Sequence, residues 1–384
     1  MRNSLLSAVA LTALLIGGLA QPALAGDTPS GPTVWYVDDD GLGTALGCKG
    51  SQPIPDTIQD AVNLAAPYDR VKVCPGTYVE QVDVAKEGLR LTATKAWAAV
   101  IKMPSDGTGS VVTLRDAGDL YMRWFTVLAR ASTPCAPPTR LIYVFNAPHA
   151  RVRANHLDLD GTESLACRYQ DGIVLNGSPD SLVLWNRVTD FSSVGIHMQD
   201  SAGTLVRGNT VRFLHPTLPC CVYSDSVGIL TSSPDVTIRG NLVRGLPTGG
   251  NTTPVLQVGI NMFGNGDVAR RNVVRYANTG IQTINTIGVT IAENRVRGIF
   301  GFGISLAVAV DEHVLLNTVR AESIGINVGA GSFGSNIHDN DFRGSSDPDC
   351  RDQSTGDGTA DTDNTWVDNL GDEDSPDGIC SATP

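Results

Sequence analysis

The chain has 384 residues, a formal net charge of −12, and 18% charged but only 6% aromatic residues. That acidity helps solubility and argues against non-specific nucleic-acid binding. Forty-one glycines and 21 prolines suit a fold of many tight turns better than a helical core.

Residues 1–25 read as an export signal. Arg2 gives the positive start, Leu5 to Ala20 the apolar stretch, and Ala23-Leu24-Ala25 the small-x-small cleavage pattern. Cleavage after Ala25 places the mature protein outside the cytoplasm, secreted or periplasmic, and loss of Arg2 takes the charge from −12 to −13. No later stretch is apolar for long enough to span a bilayer. In an exported chain, eight cysteines are expected as disulfides. Cys48 and Cys74 flank one amphipathic segment, and Cys350 and Cys380 bracket the acidic tail. Cys135 and Cys167 are also expected in disulfides. With Cys220 and Cys221 they fall in long loops, where spacing leaves the connectivity open.

Residues 26–84 predict an opening strand at Trp35-Tyr36-Val37 and an amphipathic helix over 58–65 that caps the stack to follow. Residues 85–346 carry the main signal, a repeat. The phrase is an apolar alternation, an Asn, any residue, an apolar residue and often Arg. It recurs at Asn155, Asn186, Asn209, Asn241, Asn272, Asn294, Asn317 and Asn340. Two intervals alternate irregularly: a short one, as from Asn294 to Asn317, and a longer one, as from Asn209 to Asn241. A Gly-Ile pair at Gly172, Gly195, Gly228, Gly259, Gly280, Gly303 and Gly325 precedes the next Asn at a nearly constant distance. All large length variation therefore lies between an Asn and the following Gly-Ile. The constant part alternates with period two, so it reads as strands. Val236, Ile238 and Val243 share one face, while Thr237, Arg239 and Arg244 share the other. A unit as short as the stretch from Asn294 to Asn317 cannot bury that inner face alone, but stacked copies can. Asn at a fixed turn can hydrogen-bond the neighbouring coil. A leucine-rich repeat would need a Leu-x-x-Leu-x-Leu framework, which is missing.

At these residues the chain resembles the pectate-lyase-like superfamily, in its short-repeat form. The resemblance implies an all-β fold, a single-stranded right-handed parallel β-helix of about ten coils with a short N-terminal capping helix. It extends upstream, where Leu120 to Val127 fits the repeat with Phe125 at the Asn position, and Cys74 to Glu80 is similar to the strand that follows the capping helix in such proteins. It also implies a carbohydrate cleft at the Gly-Ile strands, beside the expanded loops 156–171, 210–227 and 242–258.

Polysaccharide chemistry there needs paired carboxylates for hydrolysis, or Ca²⁺ ligands and a base for elimination. The candidate catalytic residues are Asp158 and Asp160, which alternation puts on one outward face with His156, and His197 in a following coil. Ca²⁺ is the one candidate cofactor. The polygalacturonase and alginate-epimerase signatures are missing, and all five lysines precede the regular coils, so a lyase base would be Arg or His. Three residues after successive asparagines stand Arg212, Arg244, Arg275, Arg297, Arg320 and Arg343. Stacked at about 4.8 Å, such guanidiniums repel by roughly 1 kcal/mol per adjacent pair even in water, and a carboxylate- or sulfate-bearing polymer would relieve that repulsion. These residues are the candidate substrate-binding set.

The tail, 347–384, reads as an acidic cap pinned by Cys350 and Cys380, without EF-hand spacing. Six scattered histidines show no short metal-ligand spacing, which argues against copper or zinc. The sequence thus predicts a secreted monomer that contacts an anionic extracellular polysaccharide, as a lyase, hydrolase or epimerase. The alternative is a non-catalytic, adhesin-like surface protein.

Overall fold

The computed structural model describes residues 31–40, 43–44, 46–49, 55–130, 139–160, 170–213, 226–247, 256–346 and 348–382. The export signal, Cys135, Cys167, Cys220 and Cys221 lie outside them. Among the described residues, three parallel sheets of 13, 12 and 10 strands run side by side, each strand paired with its copy one coil away. This is a right-handed parallel β-helix. Each regular coil passes through a leading strand (Thr237–Arg239, for example), the Asn corner, an arginine strand (Leu242–Arg244), the variable connection and a Gly-Ile strand (Val258–Met262).

Inward residues stack in like columns. Val183, Val206, Ile238, Ala269 and Ile291 line the leading sheet, and Val188, Val211, Val243, Val274, Val296 and Val319 line the arginine sheet, all fully buried. Columns that are β-branched at every one of these positions except Ala269 fit pleated backbone and bury what one coil cannot. The glycine of Gly-Ile has a steric cause. A Cβ on Gly259 would lie 2.3 Å from Val274 Cγ1 and 2.5 Å from the Gly280 carbonyl oxygen. The same clash recurs at Gly172, Gly195, Gly228, Gly280 and Gly303, so the backbone packs against the valine column only without a side chain.

The Asn corner is a continuous hydrogen-bond ladder. Asn241 donates from its main-chain N–H and its Nδ2 to Asn272 Oδ1 at 2.9 and 3.0 Å, and Asn241 Nδ2 also donates to the Val206 carbonyl at 2.9 Å. Asn155, Asn186, Asn209, Asn272, Asn294, Asn317 and Asn340 donate forward in the same way, all buried. Phe125 occupies the Asn position upstream, and its N–H donates to Asn155 Oδ1 at 3.0 Å. The sharp bend falls on the residue before Phe125 and before each Asn, which takes left-handed backbone: Trp124, Ala154, Trp185, Gly208, Gly240, Arg271, Glu293, Leu316, Asp339 and Asp368.

At the N-terminal end, Val34–Val37 pairs with Arg70–Val73, and the Cys48–Cys74 disulfide forms. The helix Ile58–Leu64 buries Ile58, Ala61 and Val62, and its first N–H groups are accepted by the Glu80 carboxylate at 2.8 and 2.9 Å. At the other end parallel pairing runs past residue 346 into the acidic segment. Cys350–Asp352 pairs with Ile326–Val328, Thr365–Val367 pairs with Asn336–His338, and Asn369 extends the ladder beyond Asn340. Trp366 fills the interior there, donating from Nε1 to Asp352 at 2.9 Å, and the Cys350–Cys380 disulfide closes the segment.

Candidate functional site

The arginine sheet places the guanidinium column as the repeat implies. Arg212, Arg244, Arg275, Arg297 and Arg320 are register neighbours on successive strands, and their side chains face away from the buried valines. Asp158 stands in the same column two strands upstream, through Thr189. Arg320 and Arg343 share the Asp341 carboxylate, at 2.7 and 3.0 Å, which holds Asp341 well below the usual carboxylate range despite its partial burial. Among the described residues, Arg212, Arg244, Arg275 and Arg297 have no carboxylate partner. On the same face, two positions earlier along the strands, Val273, Arg295 and Thr318 line a shallow cavity of about 470 Å³ with Arg271, Glu293 and Leu316. Arg270 and Arg271 both pair with Glu293 at its edge.

A second cluster sits on the outward face of the Gly-Ile sheet. Asp171 aligns with Arg140, and His197 aligns with Val174 and, through it, with Tyr143. Asp171 Oδ1 accepts from the Val194 N–H at 3.0 Å. Burial pushes the Asp171 carboxyl up, against the lowering by that hydrogen bond, by Ser193, and by His197 and Arg140. Burial also pushes the His197 imidazole down, and Arg140 adds to this while Asp171 opposes it. Arg140 lies 4.6 Å from the Tyr143 ring centroid. A neutral imidazole beside a carboxyl and a guanidinium can take up a proton near an anionic substrate.

The sequence-predicted residues thus fall on two surfaces. Asp158 and the backbone of Asp160 belong to the arginine-sheet strand His156–Asp160, whereas His197 belongs to the Gly-Ile strand Val194–Gln199. The structure surrounds His197 with Asp171 and Arg140. His156, at the head of the acidic strand, is stacked on Trp97 with centroids 4.2 Å apart and planes at 10°. Sequence reading missed Asp171, Arg140 and Tyr143. The usable signal was their place: Asp171 directly precedes a Gly-Ile pair, and the register carries Arg140 to it.

The β-helix is similar in fold to the Dettilon tailspike protein (14% identity, 81% of this chain and 67% of that one covered, TM-score 0.53). It is also similar to a PL6 family polysaccharide lyase from Pseudopedobacter saltans (14% identity, 74% and 83% covered, TM-score 0.51). A mannuronan C-5 epimerase A-module from Azotobacter vinelandii matches at 14% identity over 81% and 93% of the two chains, with a TM-score of 0.45. No curated protein matches the sequence. The family profile described as "Periplasmic copper-binding protein (NosD)" matches residues 158–373, which is more than half of the chain and takes in the arginine column and the last coils. This parallel β-helix belongs to the NosD family.

Proposed function

We propose that this protein works outside the cytoplasm and holds an anionic polysaccharide along its arginine sheet. The carrying observation is the registered column from Arg212 to Arg320, four members of which lack a carboxylate partner among the described residues. Coils advance by about 4.8 Å, close to the advance of one sugar ring in an extended glycan. A polymer with one carboxylate or sulfate per residue can therefore meet one fork-shaped guanidinium per coil. The two fold relatives with the higher TM-scores include one named as a polysaccharide lyase, in keeping with a carbohydrate ligand. The test is affinity electrophoresis of Gly26–Pro384 through alginate, pectate and heparan gels. Arg275→Ala with Arg297→Ala is expected to weaken retardation at least tenfold, and wild-type binding itself should fall steeply with salt. Unchanged binding in the double variant would sink the proposal.

Asp171, His197 and Arg140 favour a second reading, chemistry on the Gly-Ile sheet. Elimination or epimerisation of a uronate begins by removing the proton α to its carboxylate. Neutral His197 would accept that proton while Arg140 holds the acid. Hydrolysis would instead rest on Asp158 and Asp160. Unsaturated-uronate absorbance and reducing ends, followed with and without Ca²⁺, separate these routes. A signal lost in His197→Ala supports elimination and one lost in Asp160→Ala supports hydrolysis; flat traces with a changed uronate epimer ratio by NMR support epimerisation, and flat traces with an unchanged ratio from folded protein leave binding alone.

The family description names copper. The described residues do not fit a copper centre: no three His, Cys, Asp or Glu side chains among them converge on one point. His156 is stacked on Trp97, and His338 Nδ1 lies 2.7 Å from Asp339. His215 and four of the cysteines lie outside the described residues.

A further inference from the structure

Three of the five tryptophans occupy left-handed backbone at or beside the Asn corner: Trp97 (φ 61°), Trp124 (φ 69°) and Trp185 (φ 53°). Bulky residues are costly there, and the same corner uses Gly208 and Gly240 in the next coils. Such strain collects where a side chain is needed for function. Trp97 and Trp185 remain 46% and 47% exposed. Both are held in place. Trp97 Nε1 donates to the Ala154 carbonyl at 2.8 Å while its ring stacks on His156. The Trp185 indole passes over Gly208, where a Cβ would come within 2.6 Å of Cδ1, and the Arg153 guanidinium lies 4.6 Å from its ring centroid. Arg123 lies 3.6 Å from the Trp124 ring. Among the described residues, Arg123, Arg153 and Arg187 form no ion pair.

We infer that this tryptophan-bearing stretch of the Asn corner is a second glycan-binding site, in which Trp97 and Trp185 stack the apolar faces of sugar rings. Its ligand class rests on the carbohydrate reading above, but its residues are separate from the arginine column. Trp97 and Trp185 stand three coils apart, roughly 14 Å at the spacing of parallel strands, so one extended oligosaccharide can touch both rings. Rigid, part-exposed aromatics bind with little loss of side-chain freedom. The flanking cations match a sugar that carries an acid group.

The experiment uses Trp97→Asn with Trp185→Asn and, in parallel, Arg275→Ala with Arg297→Ala. Retardation is measured in alginate, pectate and neutral β-glucan gels, together with tryptophan-fluorescence quenching by the same polymers. Asn accepts left-handed backbone, so Trp185→Asn should melt at or above the wild-type temperature. At least tenfold weaker binding and lost quenching in the tryptophan pair support the inference. If the tryptophan pair alone weakens, the corner stands and the arginine column falls. Weakening of the arginine pair alone overturns the corner site and leaves the column. Wild-type protein that no polymer retards overturns both.

Discussion

Two corners of each coil solve the same problem by different means. At the Asn corner, one residue type serves in nine coils, from Asn155 to Asn369, and each Oδ1 from Asn186 onward accepts two donors from the preceding Asn. At the corner before the leading strand, the equivalent residues are Ala150, Ser181, Thr204, Val236, Asp267, Val289, Glu312, Ser335 and Asn364. The partners there differ from coil to coil: Ala150 N–H donates to Ser181 Oγ, Val236 N–H to Asp267 Oδ1 and Ser335 N–H to Asn364 Oδ1, whereas Glu312 accepts from the Thr283 and Thr286 hydroxyls. Identity is enforced where one side chain must satisfy several buried groups at once. Where the groups to be satisfied change from coil to coil, the position drifts, even to a buried carboxyl.

Three substitutions probe that contrast. Asn272→Ala strips the Asn241 main-chain N–H and Nδ2 of their acceptor and removes one donor from the Ile238 carbonyl; about 2–6 kcal/mol of stability should go, at roughly 1–3 kcal/mol per unsatisfied buried donor. Chemical denaturation measures it, and a cost near 1 kcal/mol would erase the difference between the corners. Asp267→Asn should stabilise, and by more as pH rises. Burial pushes Asp267 up to about 8, so the folded state keeps a proton that the unfolded chain releases near pH 4. Wild-type stability therefore falls between about pH 4 and 8, on the order of 1 kcal/mol per pH unit from this group. The Asn variant, which copies Asn364, should lose most of that slope. Glu312, pushed up to about 7 by burial, leaves a slope of similar size confined to the narrower window between about pH 4.5 and 7. Equal pH slopes for wild type and variant in urea melts would contradict the assignment. Ser181→Ala removes one acceptor and should cost only about 1 kcal/mol, measured in the same way.

The contrast also explains how much could be read from sequence. The Asn ladder and the Gly-Ile column are legible because hydrogen bonding and steric exclusion repeat the same residue at fixed intervals. Asn369 escaped because Leu370-Gly371-Asp372 follows it, without the arginine that marks the other copies, and its acidic surroundings read as tail. The arginine column was legible as a list, but its partial neutralisation by Asp341 was not, since that depends on which coil carries an acid two residues before Arg343. Asp171 and Arg140 are a full coil apart along the chain and meet only through strand register. The tryptophan corner was hidden for a similar reason: nothing local announces that an indole will sit in left-handed backbone, or that Trp97 will reach His156 two coils on.

The Asn ladder also has a direction. Every Oδ1 accepts from the N-terminal coil, from Phe125 N–H at the start to Asn369 at the end, and each amide between sends one N–H forward to the next Oδ1 and the other back to a main-chain carbonyl. Aligned amides polarise one another, so each link strengthens its neighbours. Their dipoles add along the axis as peptide dipoles do in a helix. The buried corner is therefore a one-dimensional polar wire inside an apolar stack, and a cut at any link would divide it into two shorter, weaker wires.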